Sequence, residues 1–284
     1  MSRKRTPACL AVAVAVAAFL AAGPLNAQSS KPAASAEELA KAAQNPVQAM
    51  ISVPFQLNTT LNYGLDSLEK RDTQNVLNIQ PVVPFRLGAE WNLITRTILP
   101  VLWQPVPVEG APSISGIGNL QETAFLSPAK PGKVIWGAGP VVLIPTSSNH
   151  ALGTSKWSAG PSVVVLTMPG HWVVGALVQN VWSFAGPQEA PSVNELLLQY
   201  FVNYNLPKGW FLTSSPVNTA DWTQSESKDR WTVPVGLGAG RVFHIGKQAV
   251  STSLHYYYNV VRPTGSVPSG PYTIRFQLQL MFPE

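Results

Sequence analysis

The side chains able to do chemistry are few. In the run "STSLHYYYNVVRP", His255 follows Ser253 by two residues. Residues i and i+2 of a strand share a face, and a serine nucleophile needs a base within hydrogen-bond reach. The other histidines do not join them, because His150 falls in a long polar segment and His171 and His244 fall in short turn-like ones. No His/Asp/Glu group has metal-ligand spacing. "GLGAG" (236–240) lacks the following helix that a phosphate or dinucleotide loop requires, so its glycines are read as points where a wall can bend. Neither a cofactor nor a metal is expected. The remaining polar candidates recur at alternate positions between large apolar residues: Gln56, Asn58, Asn62, Asn78, Gln80, Arg86, Asn92, Arg96, His255, Asn259, Arg275, Gln277 and Gln279.

Those positions define faces of strands. In "PYTIRFQLQLMFPE", Tyr272, Ile274, Phe276, Leu278, Leu280 and Phe282 share one parity and Thr273, Arg275, Gln277 and Gln279 the other. Such alternation fits a soluble core strand or a transmembrane barrel strand, apolar toward lipid and polar toward a wet lumen. "ISVPFQLNTTLNY", "VLNIQPVVPFRL" and "WNLITRTILPVLW" repeat it, with Leu61 and Tyr63 on the apolar face of the first. Further strands are predicted near 118–127, 134–145, 157–167, 172–184, 195–206, 210–218, 231–243, 249–261 and 272–282, about twelve in all. Alternation is less clean in the middle of the chain.

The connections separate the two readings. "GAE", "PAKPGK", "MPGH", "LPKG" and "HIGK" are short. They alternate with the long polar "GLDSLEKRDTQN", "QPVPVEGAPSISG", "TSSNHALGTSK", "AGPQEAPSVN", "TADWTQSESKDR" and "RPTGSVPSGP". Short periplasmic turns, long extracellular loops and an even strand number describe an outer-membrane barrel. Predicted strands of about 10–13 residues also fit a tilted crossing, which needs ~9–11. Trp91, Trp136, Trp172 and Trp210 follow short connections, while Trp103, Trp157, Trp182 and Trp231 border long loops, which predicts two interfacial girdles. Prolines at 54, 81, 84, 100, 140, 145, 161, 216 and 234 each delete a ladder hydrogen bond, and bulges are expected at some of them. The fold class is therefore all-β, a closed antiparallel transmembrane β-barrel.

Charged residues make up only 12% of the 284, about half the usual share of a soluble domain. Arg3, Lys4 and Arg5 precede an apolar run from Cys9 to Ala22 and then "GPLNAQSS", the pattern of a secretory signal peptide. Cleavage is expected after Ala27. It removes three of the 19 Lys+Arg and none of the 14 Asp+Glu, leaving a net charge of +2 and no basic patch for nucleic acid. It also removes the one Cys, so disulfides cannot hold the mature chain. Residues 28–48 are read as a periplasmic segment with one short helix in "SAEELAKAAQNP", capped by Ser35 with Glu38 and ended at Asn45-Pro46. Its amphipathic face, Ala36, Leu39 and Ala43, is expected to dock at the periplasmic mouth. Residues 49–284 form the barrel.

"ELAKAAQNPVQAMISVPFQ", "VLNIQPVVPF", "WNLITRTILPV", "GALVQNVWSFAG", "NYNLPKGWFLTSSP" and "YYYNVVRP" resemble a bacterial outer-membrane barrel family described as phenol-degradation meta-pathway or transporter proteins. That family is sometimes labelled neuromedin U, which a secreted barrel does not fit. The resemblance implies a Gram-negative outer-membrane transporter, with aromatic or other carbon-source solutes as cargo.

Two readings of the lumen arginines stay open. Arg86, Arg96 and Arg275 could form a positive ladder selecting anions. Alternatively they pair with Glu122 or Glu195 and fill the bore, since an unpaired charge in a narrow lumen is costly. Because Ser253 and His255 are assigned to the lumen rather than the lipid face, the chain is expected not to be an enzyme. The expected function is passive uptake of small molecules. The alternative is a non-conducting barrel working through its long loops. Expected partners are outer-membrane lipid, the barrel assembly machinery and a small solute.

Overall fold

The computed structural model describes residues 35–67, 71–106, 108 and 111–283. The expected signal peptide and its expected cleavage site lie outside them, as do residues 28–34. Among the described residues, twelve antiparallel wall strands close into a barrel beside one α-helix. The strands are β1 (Ile51–Tyr63), β2 (Asp72–Ile79 and Val82–Leu87), β3 (Trp91–Gln104), β4 (Ile114–Ile117 and Leu120–Pro128), β5 (Val134–Ile144) and β6 (Trp157–Thr167). They continue as β7 (Trp172–Ala185), β8 (Asn194–Asn205), β9 (Trp210–Ser214 and Val217–Asp221), β10 (Trp231–Ile245), β11 (Gln248–Val261) and β12 (Tyr272–Phe282). Each pairs with its sequence neighbours. β1 closes the ring on β12, from Ile51 opposite Phe282 to Leu61 opposite Tyr272.

Backbone chemistry explains the interruptions. Pro81 lies in the break of β2 and Pro216 in that of β9, and the β10–β11 register shifts between Val233 and Pro234. At the β9 break, side chains replace the ladder. Ser214 Oγ donates to the Gly236 carbonyl (2.7 Å), and Arg275 Nη1 donates to the Ser215 carbonyl (2.9 Å). The β10–β11 hairpin turns on Gly246 at φ +60°, the glycine-first geometry that suits a two-residue hairpin.

The outward face matches the lipid expectation. Leu237, Leu254, Phe276, Val163 and Val178 are exposed on it. Trp136, Trp172 and Trp210 are exposed at the short-turn end, and Trp103, Trp157 and Trp182 at the long-loop end. Trp91 stands edge-to-face with Trp136 at 6.0 Å, and Trp231 with Trp222 at 5.4 Å. Tyr63 is a correction. Asn62 sits at φ +53° in a bulge between Thr60 and Tyr63. The extra residue reverses the phase, and the Tyr63 hydroxyl accepts from Gln104 Nε2 (3.1 Å), which also accepts from Gln74 through its own Oε1 (2.6 Å).

The inner face differs from the expected polar lining. Ile94, Phe125, Val164, Leu166, Val173, Leu177 and Phe201 point inward and pack as one buried cluster with Val82 and Val47. The physical reason is that β6 and β7 are apolar on both faces, so Val163 and Val165 meet solvent or lipid while Val164 and Leu166 are buried. Continuous apolar runs of this kind erase the period-two signal.

Long loops are tied across the top. Asp229 accepts from the backbone N–H of Gly265 (2.7 Å) and Ser266 (3.0 Å), joining the β9–β10 and β11–β12 loops. Those bonds hold its carboxyl below the usual carboxylate range, the Ser266 N–H contributing most. Asp66 bridges Arg71 and Arg262, each at 3.0 Å.

Candidate functional site

Helix α1 (Ala36–Ala43) carries the predicted capping box: Ser35 Oγ accepts from the Glu38 N–H (3.2 Å), and Glu38 Oε2 accepts from the Ser35 N–H (2.8 Å). Eight residues are too few for a stable isolated helix, so packing must hold it. Leu39 and Ala40 are buried with Met50 against Phe211, Val242, Ala249 and Met281. These barrel residues lie near the short-turn ends of β9 to β12 and face inward. The helix therefore sits inside that mouth. After it, Gln44 and Asn205 exchange two side-chain amide bonds (3.0 and 3.1 Å), and Val47 enters the inner apolar cluster.

Above this floor the lumen narrows to a cavity of ≈140 Å³. Gln56, Gln80, Arg96, His255 and Gln277, all predicted as lumen residues, line it, together with Gln279. Asn58 and Arg275 stand beside it: Arg275 Nε donates to Asn58 Oδ1 (2.9 Å), which also accepts from Gln56 Nε2 (3.4 Å). Asn78 pairs in register with Gln56 and shares its inward face. Arg86 departs from the prediction, since it lies exposed beside the β2–β3 turn, at the rim. Asn259 also departs, because its amide donates to the Gly270 carbonyl (2.6 Å) and pins the last long loop.

The three arginines thus form no ladder, and neither predicted acid reaches them. Arg96 Nη2 donates to Gln80 Oε1 (2.6 Å). Arg275 lies over the Tyr257 ring (4.9 Å) and is held by Asn58 and the Ser215 carbonyl. Glu122 accepts from Thr97 Oγ1 (2.5 Å), on the face of β4 opposite the buried Thr123 and Phe125. Glu195 stands across from Asp221 at the long-loop end.

Ser253 and His255 do meet. Ser253 Oγ is 2.9 Å from His255 Nε2, and the Tyr257 hydroxyl is 3.0 Å from His255 Nδ1. The string ends on a phenol, with Arg275 opposite His255 in register, so no carboxylate is placed to hold an imidazolium. "GLGAG" serves these rings. A Cβ on Gly238 would strike the His255 imidazole, and one on Gly240 the Phe211 ring.

Sequence reasoning missed five contributors. Gln44 and Gln48 form the cavity floor, and Phe201 and Phe211 part of its wall. The i, i+4 spacing of the two glutamines just past a capped helix was the available signal. Tyr257, whose ring lies under Arg275 and whose hydroxyl reaches His255, carries no sequence signal beyond its place in a strand.

No family model and no curated protein matches the chain. Solved structures do. An outer-membrane channel from Pseudomonas putida F1 superposes with a TM-score of 0.63 at 18% identity, covering 84% of this chain and 97% of that one. Outer membrane phospholipase A from Escherichia coli gives 0.45 at 14%, covering 89% and 99%. A Pseudomonas aeruginosa FadL homologue gives 0.40 at 10%, covering 82% and 89%. The expectation that the chain is not an enzyme is corrected by this set: an enzyme stands among the similar barrels, so the fold gives no ground for excluding catalysis. What the chain shares with these proteins is the closed barrel of outer-membrane proteins.

Proposed function

We propose that this chain is an outer-membrane channel for passive uptake of small molecules. The observation that carries this reading is the polar cavity inside a closed barrel, floored by a docked helix at one mouth. A wall with lipid-compatible residues outside and amides and a guanidinium inside is what a diffusion channel requires. The likeness to the P. putida channel supports it at the level of fold. The resemblance to phenol-degradation meta-pathway proteins supports aromatic or other carbon-source solutes as cargo. The signal-like leader supports export, with lipid and the barrel assembly machinery as partners. Planar-bilayer recording of the purified chain tests the reading, and absence of both conductance and solute flux into liposomes refutes it. Outer-membrane residence is tested by heat-modifiable migration and resistance to carbonate washing.

A second reading, a non-conducting barrel working through its loops, is favoured by one observation. The inward apolar cluster around Ile94, Phe125 and Leu177 fills part of the bore. The same recordings decide between them.

A further inference from the structure

The cavity is lined by one guanidinium, from Arg96, and by no carboxylate. A guanidinium has five N–H donors, and the Gln80 amide oxygen occupies one, at 2.6 Å. Among the described residues, Arg96 has no ion-pair partner. Holding an unbalanced positive charge inside a narrow barrel is costly, and an anion in the cavity would offset that cost. Gln80 adds to the field, because its oxygen is committed to Arg96 and its NH₂ remains as a donor. Gln48 shows a matching deficit. Its Oε1 is buried without a partner while its Nε2 reaches Ser52 Oγ (3.4 Å). A half-turn of that amide lets the oxygen accept from Ser52 and turns the N–H groups to a guest.

The rest of the cavity restricts that guest. Its ≈140 Å³ is close to the ~150 Å³ of an engineered cavity that accommodates benzene. Phe201 and Phe211 line it beside the amides, giving an apolar body something to lie against. Arg275 stands beside the cavity but is committed to Asn58, the Ser215 carbonyl and the Tyr257 ring, so the lining offers one planar fork, which fits one carboxylate.

We propose that the Arg96 cavity binds a small organic monocarboxylate, the guanidinium taking the carboxylate and the Phe201 and Phe211 rings taking the apolar body. The inference deepens the channel reading by giving it a solute class, and it rests on that reading for its role in uptake.

The test uses the purified mature chain, shown to be folded by heat-modifiable migration, with sodium benzoate as probe and benzamide as its uncharged isostere. Calorimetry in detergent should show saturable benzoate binding and at least ~10-fold weaker benzamide binding, the loss expected for a charge-assisted hydrogen bond. Arg96→Gln should weaken benzoate by ~10-fold or more, with Arg96→Lys between. In bilayers, benzoate should reduce the chloride current of the native chain and not that of Arg96→Gln. If Arg96→Gln does not fold, the benzoate–benzamide comparison on the native chain decides. Equal affinity for the two probes, or saturable binding of neither, overturns the proposal. Benzoate binding without conductance sustains the site and refutes the channel. Conductance without benzoate binding refutes the site and leaves the channel.

Discussion

Leu39→Ala is expected to open the short-turn mouth. Leu39 is 2% exposed and packs against residues from four wall strands. Undocking returns it to water, so the transfer term governs the loss, ~2 kcal/mol for most of a leucine side chain. At 1.4 kcal/mol per tenfold, that raises the undocked-to-docked ratio ~30-fold. Gln44→Ala removes both amide bonds to Asn205. With ~1 kcal/mol net for the pair, the double variant gains roughly another fivefold. Single-channel open probability reads the consequence. Maleimide labelling of a cysteine placed at Ala43 reads docking independently of current. Faster labelling with unchanged open probability would refute the gate and leave the segment a tether. Unchanged labelling would refute the packing argument itself.

Leu237, 70% exposed at the middle of β10, should cost ~2–4 kcal/mol when replaced by Arg, while Ile245→Arg at the strand end should cost ~0–1. Denaturant unfolding in vesicles measures both, and equal costs would mean that this face does not meet hydrocarbon. Gly240→Val is expected to lose the heat-modifiable folded band, because its Cβ meets both the Phe211 ring and the Thr252 carbonyl. Full retention of that band would show that Phe211 moves aside freely. Asp229 has a depressed carboxyl, so its tie between two loops holds at neutral pH and is lost only as pH falls through a value below the ordinary 3.8. Loop proteolysis should rise in Asp229→Asn at pH 7 and in the native chain only under strong acid. A native chain whose loops loosen near pH 5 would contradict the hydrogen-bond account.

The barrel was legible because its signals are local. Loop lengths, tryptophan positions and the Tyr272–Phe282 alternation each need only a few neighbouring residues. Ser35 and Glu38 announced the helix for the same reason. The site was less legible, because it depends on what faces what. Val164 and Leu177 look like lipid-facing residues in a β-barrel until opposite walls are brought together. Arg96 and Glu122 look like partners until their faces are known to be opposite ones. Arg86 and Asn259 have inward parity but sit at the ends of their strands, where rim and loop claim them. One bulged residue, Asn62, was enough to reverse Tyr63.

The docking surface for α1 is assembled from Phe211, Val242, Ala249 and Met281, which belong to the last four wall strands. Gln44 meets Asn205 across 161 residues. The segment synthesised before all the strands therefore has nowhere to bind until the last of them have paired. Until that surface exists the helix lacks the packing that holds it, and a barrel that closes before the helix docks is without its floor. Only the few residues from Gln44 to Ile51 tether the helix to β1, and loops of about ten residues close within ~10–100 ns. Once its docking surface is assembled, the helix should therefore seal the mouth almost at once.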